Sequence, residues 1–293
     1  MRDHKYLKKK YVYLRWLTYA PNCNWLPLQG CDGGLLIDGP GTEKTAAPNL
    51  SVKGYDLIAA IKTAPEGMCP GVVSCSDIQI LATRDAVALA GGPPYAVRTG
   101  RRDRRQSRAS DVRLPAPDYT AAQAVAYYAL ETVALLGAHT VGATRCSAIK
   151  NSRLYGYGGK PGATDPGMDP ATASVYKKWV CPNVSSSDGN AVFLDDQWSA
   201  LKVENHYYKN LQQKRGVLSV DQNLYSDGST RWIVDQLASN AALFQSQFAK
   251  VLVKLSEVNV LTGVQGEIRK VCSRFNRPDH HIICRLSFST PIY

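Results

Sequence analysis

Apolar residues recur at helical spacing through much of the chain. Over 54–62, Leu57, Ile58 and Ile61 share one face of a predicted helix. Over 74–90, Cys75, Ile78, Leu81 and Ala82 do the same, and Gly91-Gly92-Pro93-Pro94 ends the run. Thr120-x-x-Gln123 has the form of a capping box, in which hydroxyl and amide oxygens each take a backbone N–H at a helix start. The helix it opens carries Leu130, Val133, Ala134 and Gly137 and runs to His139. A further helical pattern holds Trp198, Leu201, Tyr208 and Leu211 and ends near Gly216. Thr230 is placed to cap Trp232 to Leu237. Phe244, Phe248, Val251, Leu252 and Leu255 form the clearest amphipathic stripe. A second capping box, Thr262-x-x-Gln265, precedes Ile268, Val271 and Cys272. Residues 151–193, rich in Gly, Pro, Ser and Asp, read as a long irregular excursion. Alternating strand runs are few and no internal repeat appears. The pattern predicts a mainly α, single-domain fold with long loops.

A chain of 293 residues with 44% hydrophobic and 20% charged residues can bury a sizeable core, which excludes disordered and collagen-like classes. No apolar run approaches the roughly 18 residues of a membrane span. The net charge of +11 favours polyanionic partners, an acidic polysaccharide among them. Its densest clusters are Lys8-Lys9-Lys10 and Arg101 to Arg105, and charge runs of this kind are usually solvated.

Eight cysteines, at 23, 31, 69, 75, 146, 181, 272 and 284, lack zinc-site spacing and fit disulfides in an oxidising compartment. They allow 105 pairings. The start of the chain shows a basic segment but no clean apolar stretch or small-residue cleavage site. The cysteines argue for export and the N-terminus argues against it.

His139 lies in Gly137-Ala-His-Thr-Val-Gly142, where small neighbours leave room for a flat group. On the residues alone it is either a paired core histidine or a ligand. The sequence around it, with Arg145-Cys146, resembles the proximal haem-ligand motif of secretory (class III) plant peroxidases. Further blocks follow in the family's order: Gly30-Cys-Asp-Gly33, Glu43-Lys-Thr45, Cys69-Pro-Gly-Val-Val-Ser-Cys75 with Asp77, Ala82-Thr-Arg-Asp85, Gly100-Arg-Arg-Asp103, Leu114-Pro-Ala-Pro117, Asp221-Gln222 and Leu261-Thr-Gly-Val-Gln-Gly-Glu-Ile-Arg269 with Cys272. The likeness spans 30–276 and defines a peroxidase domain there, between an atypical segment 1–29 and an unmatched tail 277–293.

The resemblance implies hydrogen peroxide-dependent oxidation of phenolic donors, with haem b held by His139 and a proximal carboxylate at Asp221. Asn49 matches the residue that orients a distal histidine, and Pro115 one that holds aromatic donors. A proximal calcium ion maps to Thr140, Asp196, Ser199, the Lys202 carbonyl and Glu204, the last replacing an aspartate. A distal calcium ion maps to Leu28, Gly30, Asp32 and Gly34, where Gly34 replaces a serine and Trp25 stands at an acidic position. The implied disulfides are Cys75–Cys272 and Cys146–Cys181; Cys31 pairs with Cys23 or stays free. The catalytic Arg and His of the distal helix fall at Ala20 and Asn24, so no distal base or cation is matched, and Pro21 and Pro27 break that helix. The family further implies a secreted, cell-wall or vacuolar monomer, with no nucleic-acid partner and no membrane span. Two other readings stay open: a haem-binding relative without activity, and a non-enzymatic basic module for polyanions.

Overall fold

The computed structural model describes residues 30–50, 52–112, 118–124 and 129–276. Ala20, Asn24, Leu28, Pro115, Cys23, Cys284 and both terminal segments lie outside these residues.

Helix α1 (Tyr55–Met68) buries Ile58 and Lys62, while Ile61 faces outward. Lys62 replaces Ile61 on the buried face because its ammonium reaches the Val73 carbonyl (2.5 Å) and Glu66 (2.6 Å). Helix α2 (Cys75–Leu89) starts where the Ser74 hydroxyl accepts the Asp77 N–H, and it ends at Ala90, ahead of Gly91 at φ +81°. The Thr120 capping box is present in both halves: Gln123 N–H meets the hydroxyl at 3.2 Å, and Thr120 N–H meets the Gln123 amide oxygen at 2.9 Å. It opens α3 (Ala121–Ala124). Helix α4 (Ala129–Leu136) then passes into a tight 3-10 turn, Gly137–Val141, which carries His139.

Strand β1 (Ala143–Arg145) is followed by the short helix α5 (Cys146–Ile149). The expected irregular excursion contains more order than its composition suggests. Asp169 caps α6 (Pro170–Val175), and β2 (Ala191–Phe193) returns antiparallel to β1, pairing Thr144 with Val192. Trp198 starts no helix: it is 92% exposed, and α7 spans His206–Gln212. Helix α8 (Ser219–Ser226), which the apolar pattern did not predict, holds buried Val220, Asp221 and Leu224. Helix α9 (Gly228–Ser239) is capped by Asp227 and not by Thr230, whose hydroxyl donates instead to the Leu224 carbonyl at 2.6 Å. Asn240 caps α10 (Ala241–Ser256), whose buried Phe244, Phe248, Val251, Leu252 and Leu255 match the predicted stripe.

The second capping box makes a turn. Thr262 N–H bonds the Gln265 side chain at 3.2 Å, but Gly263 and Gly266 both sit at φ +59° and end any helix. The segment then exchanges backbone bonds between Glu267 and Asp103 at 2.7 and 2.8 Å.

The largest core cluster joins α4, α7, α9 and α10. A second surrounds the small sheet, and a third lies between α1 and α2. Disulfides Cys75–Cys272 and Cys146–Cys181 are both formed. Cys31 is disulfide-bonded and therefore not free, and Cys69 is free and exposed. No described helix is long and apolar enough to cross a membrane.

Candidate active site on the proximal side

The turn after α4 brings His139 against the start of α8. His139 Nδ1 lies 2.9 Å from Asp221 Oδ1. Asp221 is fully buried, while the histidine side chain keeps 21% of its surface accessible. A carboxylate accepts and cannot donate when ionised, so this bond places the proton on Nδ1 and the lone pair on Nε2. Among the described residues no side chain bonds Nε2. Burial pushes the His139 pKa down, but the charge and hydrogen bond of Asp221 outweigh it and the net shift is upward. An imidazole with its outer nitrogen bare and its inner N–H on a buried acid fits the donor that a haem iron takes.

Small residues let this turn sit where it does. A Cβ on Gly137 would come within 2.3 Å of the Tyr208 hydroxyl and 2.5 Å of Phe244. Tyr207 also donates its hydroxyl to Asp221 Oδ1, at 2.8 Å. Motif matching alone does not single out Tyr207; the aromatic pair Tyr207-Tyr208 beside a helix start was the available signal.

The expected proximal cation residues divide. The Thr140 hydroxyl lies 3.2 Å from the Lys202 carbonyl and 3.4 Å from Glu204. Its nearest acid is Asp195, at 2.9 Å, and not Asp196. Of the two adjacent aspartates only one turns inward. Asp195 is fully buried and Asp196 is 40% exposed. Ser199 donates its hydroxyl to the Asp196 carbonyl at 3.3 Å. Ligand atoms of Asp195, Glu204 and His206 lie within 4.8 Å of one another. Burial and then the neighbouring Asp195 charge raise the Glu204 pKa, an arrangement that a hard cation would relieve.

The distal set is partly described. Gly30 is buried, a Cβ on it would fall 1.8 Å from the Val258 carbonyl oxygen, and Asp32 accepts the Gly34 N–H at 3.0 Å. The space of a side chain at Gly34 is taken by Glu43, whose Oε1 lies 2.2 Å from where a Cβ would stand. That oxygen is buried and unpartnered. Burial, then the Asp32 charge, push Glu43 up to about 8. Burial likewise raises Asp32. Asn49 donates to the Glu43 carbonyl at 2.7 Å, and its own Oδ1 is buried without a partner. The basic run is not all solvated. Arg101 is buried, bonding Asp77 at 3.1 Å and the Ser256 carbonyl at 2.6 and 3.0 Å.

Comparison with known proteins points to one family. A family profile described as "Peroxidase" matches residues 3–240. Peroxidase 57 of Arabidopsis thaliana is 47% identical over 255 residues, covering 85% of this chain and 79% of its own. Peroxidase 71 of Arabidopsis thaliana is 43% identical, with 85% and 76% covered. Peroxidase N1 of Nicotiana tabacum is 41% identical, with 84% and 77% covered. On this profile match and these identities the chain belongs to the peroxidase family, among the secretory (class III) haem peroxidases of plants.

Proposed function

We propose that this haem peroxidase takes electrons from small phenolic donors and delivers them to hydrogen peroxide, with His139 as the iron ligand. The observation that carries this is the 2.9 Å contact from His139 Nδ1 to the buried Asp221. Bound haem supplies the redox centre at which peroxide is reduced. The chain's own part is to orient the imidazole, hold the proton on Nδ1 and keep Nε2 directed at the metal. Asp221 makes the imidazole a stronger donor by drawing on that proton.

Calcium is the cation that the oxygen donors suit. Asp195, Thr140, Glu204 and the Lys202 carbonyl are proposed to hold one ion. Asp32 and Glu43 supply two carboxylates for a second, with Glu43 standing in for the side chain that Gly34 lacks. Eight cysteines, with two described disulfides formed, support an oxidising, extracellular setting.

The distal positions temper the rate. Ala20 and Asn24 supply neither a base nor a cation, and loss of general acid–base help costs roughly 10²–10⁴-fold. The test is turnover of a phenol with peroxide by the haem-loaded protein. Turnover above that of free haemin is expected. Turnover equal to free haemin replaces the enzyme reading with that of a haem-binding relative without activity, the reading that Ala20 and Asn24 favour.

A further inference from the structure

Asp221 receives two donors on one oxygen. His139 Nδ1 and the Tyr207 hydroxyl both meet Oδ1, at 2.9 and 2.8 Å, while Oδ2 is buried and has no partner. Each proton on a carboxylate oxygen withdraws density from it and makes it a poorer acceptor for the other. Tyr207 cannot easily leave this place. It is 1% exposed, and its ring stands edge-on to His139 (centroids 6.2 Å apart, planes at 83°) and to Tyr208 (5.0 Å, 74°). Burial and the adjacent acid hold its phenol protonated, so it remains a donor. Among the described residues its hydroxyl bonds no other acceptor.

We propose that Tyr207 is a positioning residue that limits how strongly Asp221 draws on the His139 proton, and so sets the potential of the iron that His139 holds. The inference rests on the haem reading given above. A carboxylate relieved of the Tyr207 bond pulls harder on Nδ1–H. The imidazole then becomes a stronger donor and stabilises the oxidised iron. The neighbouring Tyr208 is the natural contrast. It is equally buried, but its hydroxyl donates to the Val133 carbonyl at 2.9 Å and makes no bond to Asp221.

The experiment uses the full chain loaded with haemin, with uptake followed by the Soret band and the Fe(III)/Fe(II) midpoint potential by spectroelectrochemistry. Tyr207→Phe should shift the potential to a lower value than wild type. Site-specific 3-fluorotyrosine at 207, a stronger donor of nearly unchanged size, should shift it upward. Tyr208→Phe should leave it where it is. Unshifted potentials for both 207 variants overturn the proposal, as do equal downward shifts for the two Phe variants, which would report general loosening. If Tyr207→Phe does not fold, the fluorotyrosine variant decides, since an unmoved potential there is sufficient refutation. A wild-type protein that gains no Soret band overturns the haem reading itself, a result distinct from a band whose potential does not respond.

Discussion

Glu43 is buried beside another acid, and its outer oxygen has no hydrogen-bond partner. Taking an ionised carboxylate out of water without a partner is costly, so the group keeps a proton or gains a cation. Its pKa rises from 4.5 to about 8 on folding. The folded chain therefore binds a proton that the unfolded chain releases above about 4.5. That contribution to stability is full below the unfolded value and is lost as pH rises through about 8. Melting temperature in chelator should accordingly fall between these pH values, and excess calcium should flatten the fall. A melting curve in chelator that does not change with pH, or that Glu43→Gln leaves equally steep, would contradict this account of the residue. The proximal acids make a companion case. Asp195→Asn should remove one of two calcium-dependent increments in melting temperature, whereas Asp196→Asn should leave both nearly intact, because only Asp195 reaches Thr140.

At the scale of elements, the position of His139 depends on how closely α4 approaches α7 and α10. Gly137 allows that approach, since a methyl there would press into Tyr208 and Phe244 at 2.3 and 2.5 Å. Both rings are fully buried and meet edge to face with centroids 5.3 Å apart, so neither has free space to retreat into. Gly137→Ala should therefore destabilise the fold by about 1–3 kcal/mol and weaken haem uptake, measured by chemical denaturation and by haemin titration. Unchanged stability would show that the turn has slack that the contacts do not suggest. The caps act more modestly. Ser74→Ala removes one bond at the start of α2 and should cost about 1 kcal/mol. Elements with strong apolar periodicity and local caps, such as α2 and α10, were legible in the sequence. Helix α8 was not, because its buried face mixes Val220, Asp221, Gln222 and Leu224, and polar residues hide a helical period. Trp198 misled for the opposite reason: an aromatic at helical spacing here faces solvent. The turn at 262–265 kept the side-chain bond of a capping box, but its glycines adopt a conformation that no helix continues.

Across the whole molecule, long connections are held by covalent ties and buried charge. Cys75–Cys272 joins residues 197 positions apart and fixes the start of α2 to the segment after Glu267. In the chain-entropy model a closure of that length contributes roughly 5 kcal/mol. Cys272→Ser should lower the denaturation midpoint strongly in the absence of reductant, and reducing agent should lower wild type by at least as much, since it also opens Cys146–Cys181. Near this bridge, Asp103 accepts from the Cys75, Ser76 and Arg269 N–H groups at 3.1, 2.8 and 2.9 Å, tying the start of α2 and the segment after Glu267 to one buried carboxylate. The family and the pairing of His139 with Asp221 were readable from ordered motifs. The inward-facing Asp195, the Glu43 carboxylate at Gly34 and the Tyr207 bond were not, because each depends on which way a side chain turns once distant segments meet. The most direct test of the account is the low-frequency resonance Raman spectrum of the reduced, haem-loaded protein, recorded for wild type and Asp221→Asn. An iron–imidazole stretch that moves to lower frequency in the variant is the predicted result. A wild-type spectrum without that band, or a band that does not respond to Asp221, would contradict a His139 ligand backed by this carboxylate.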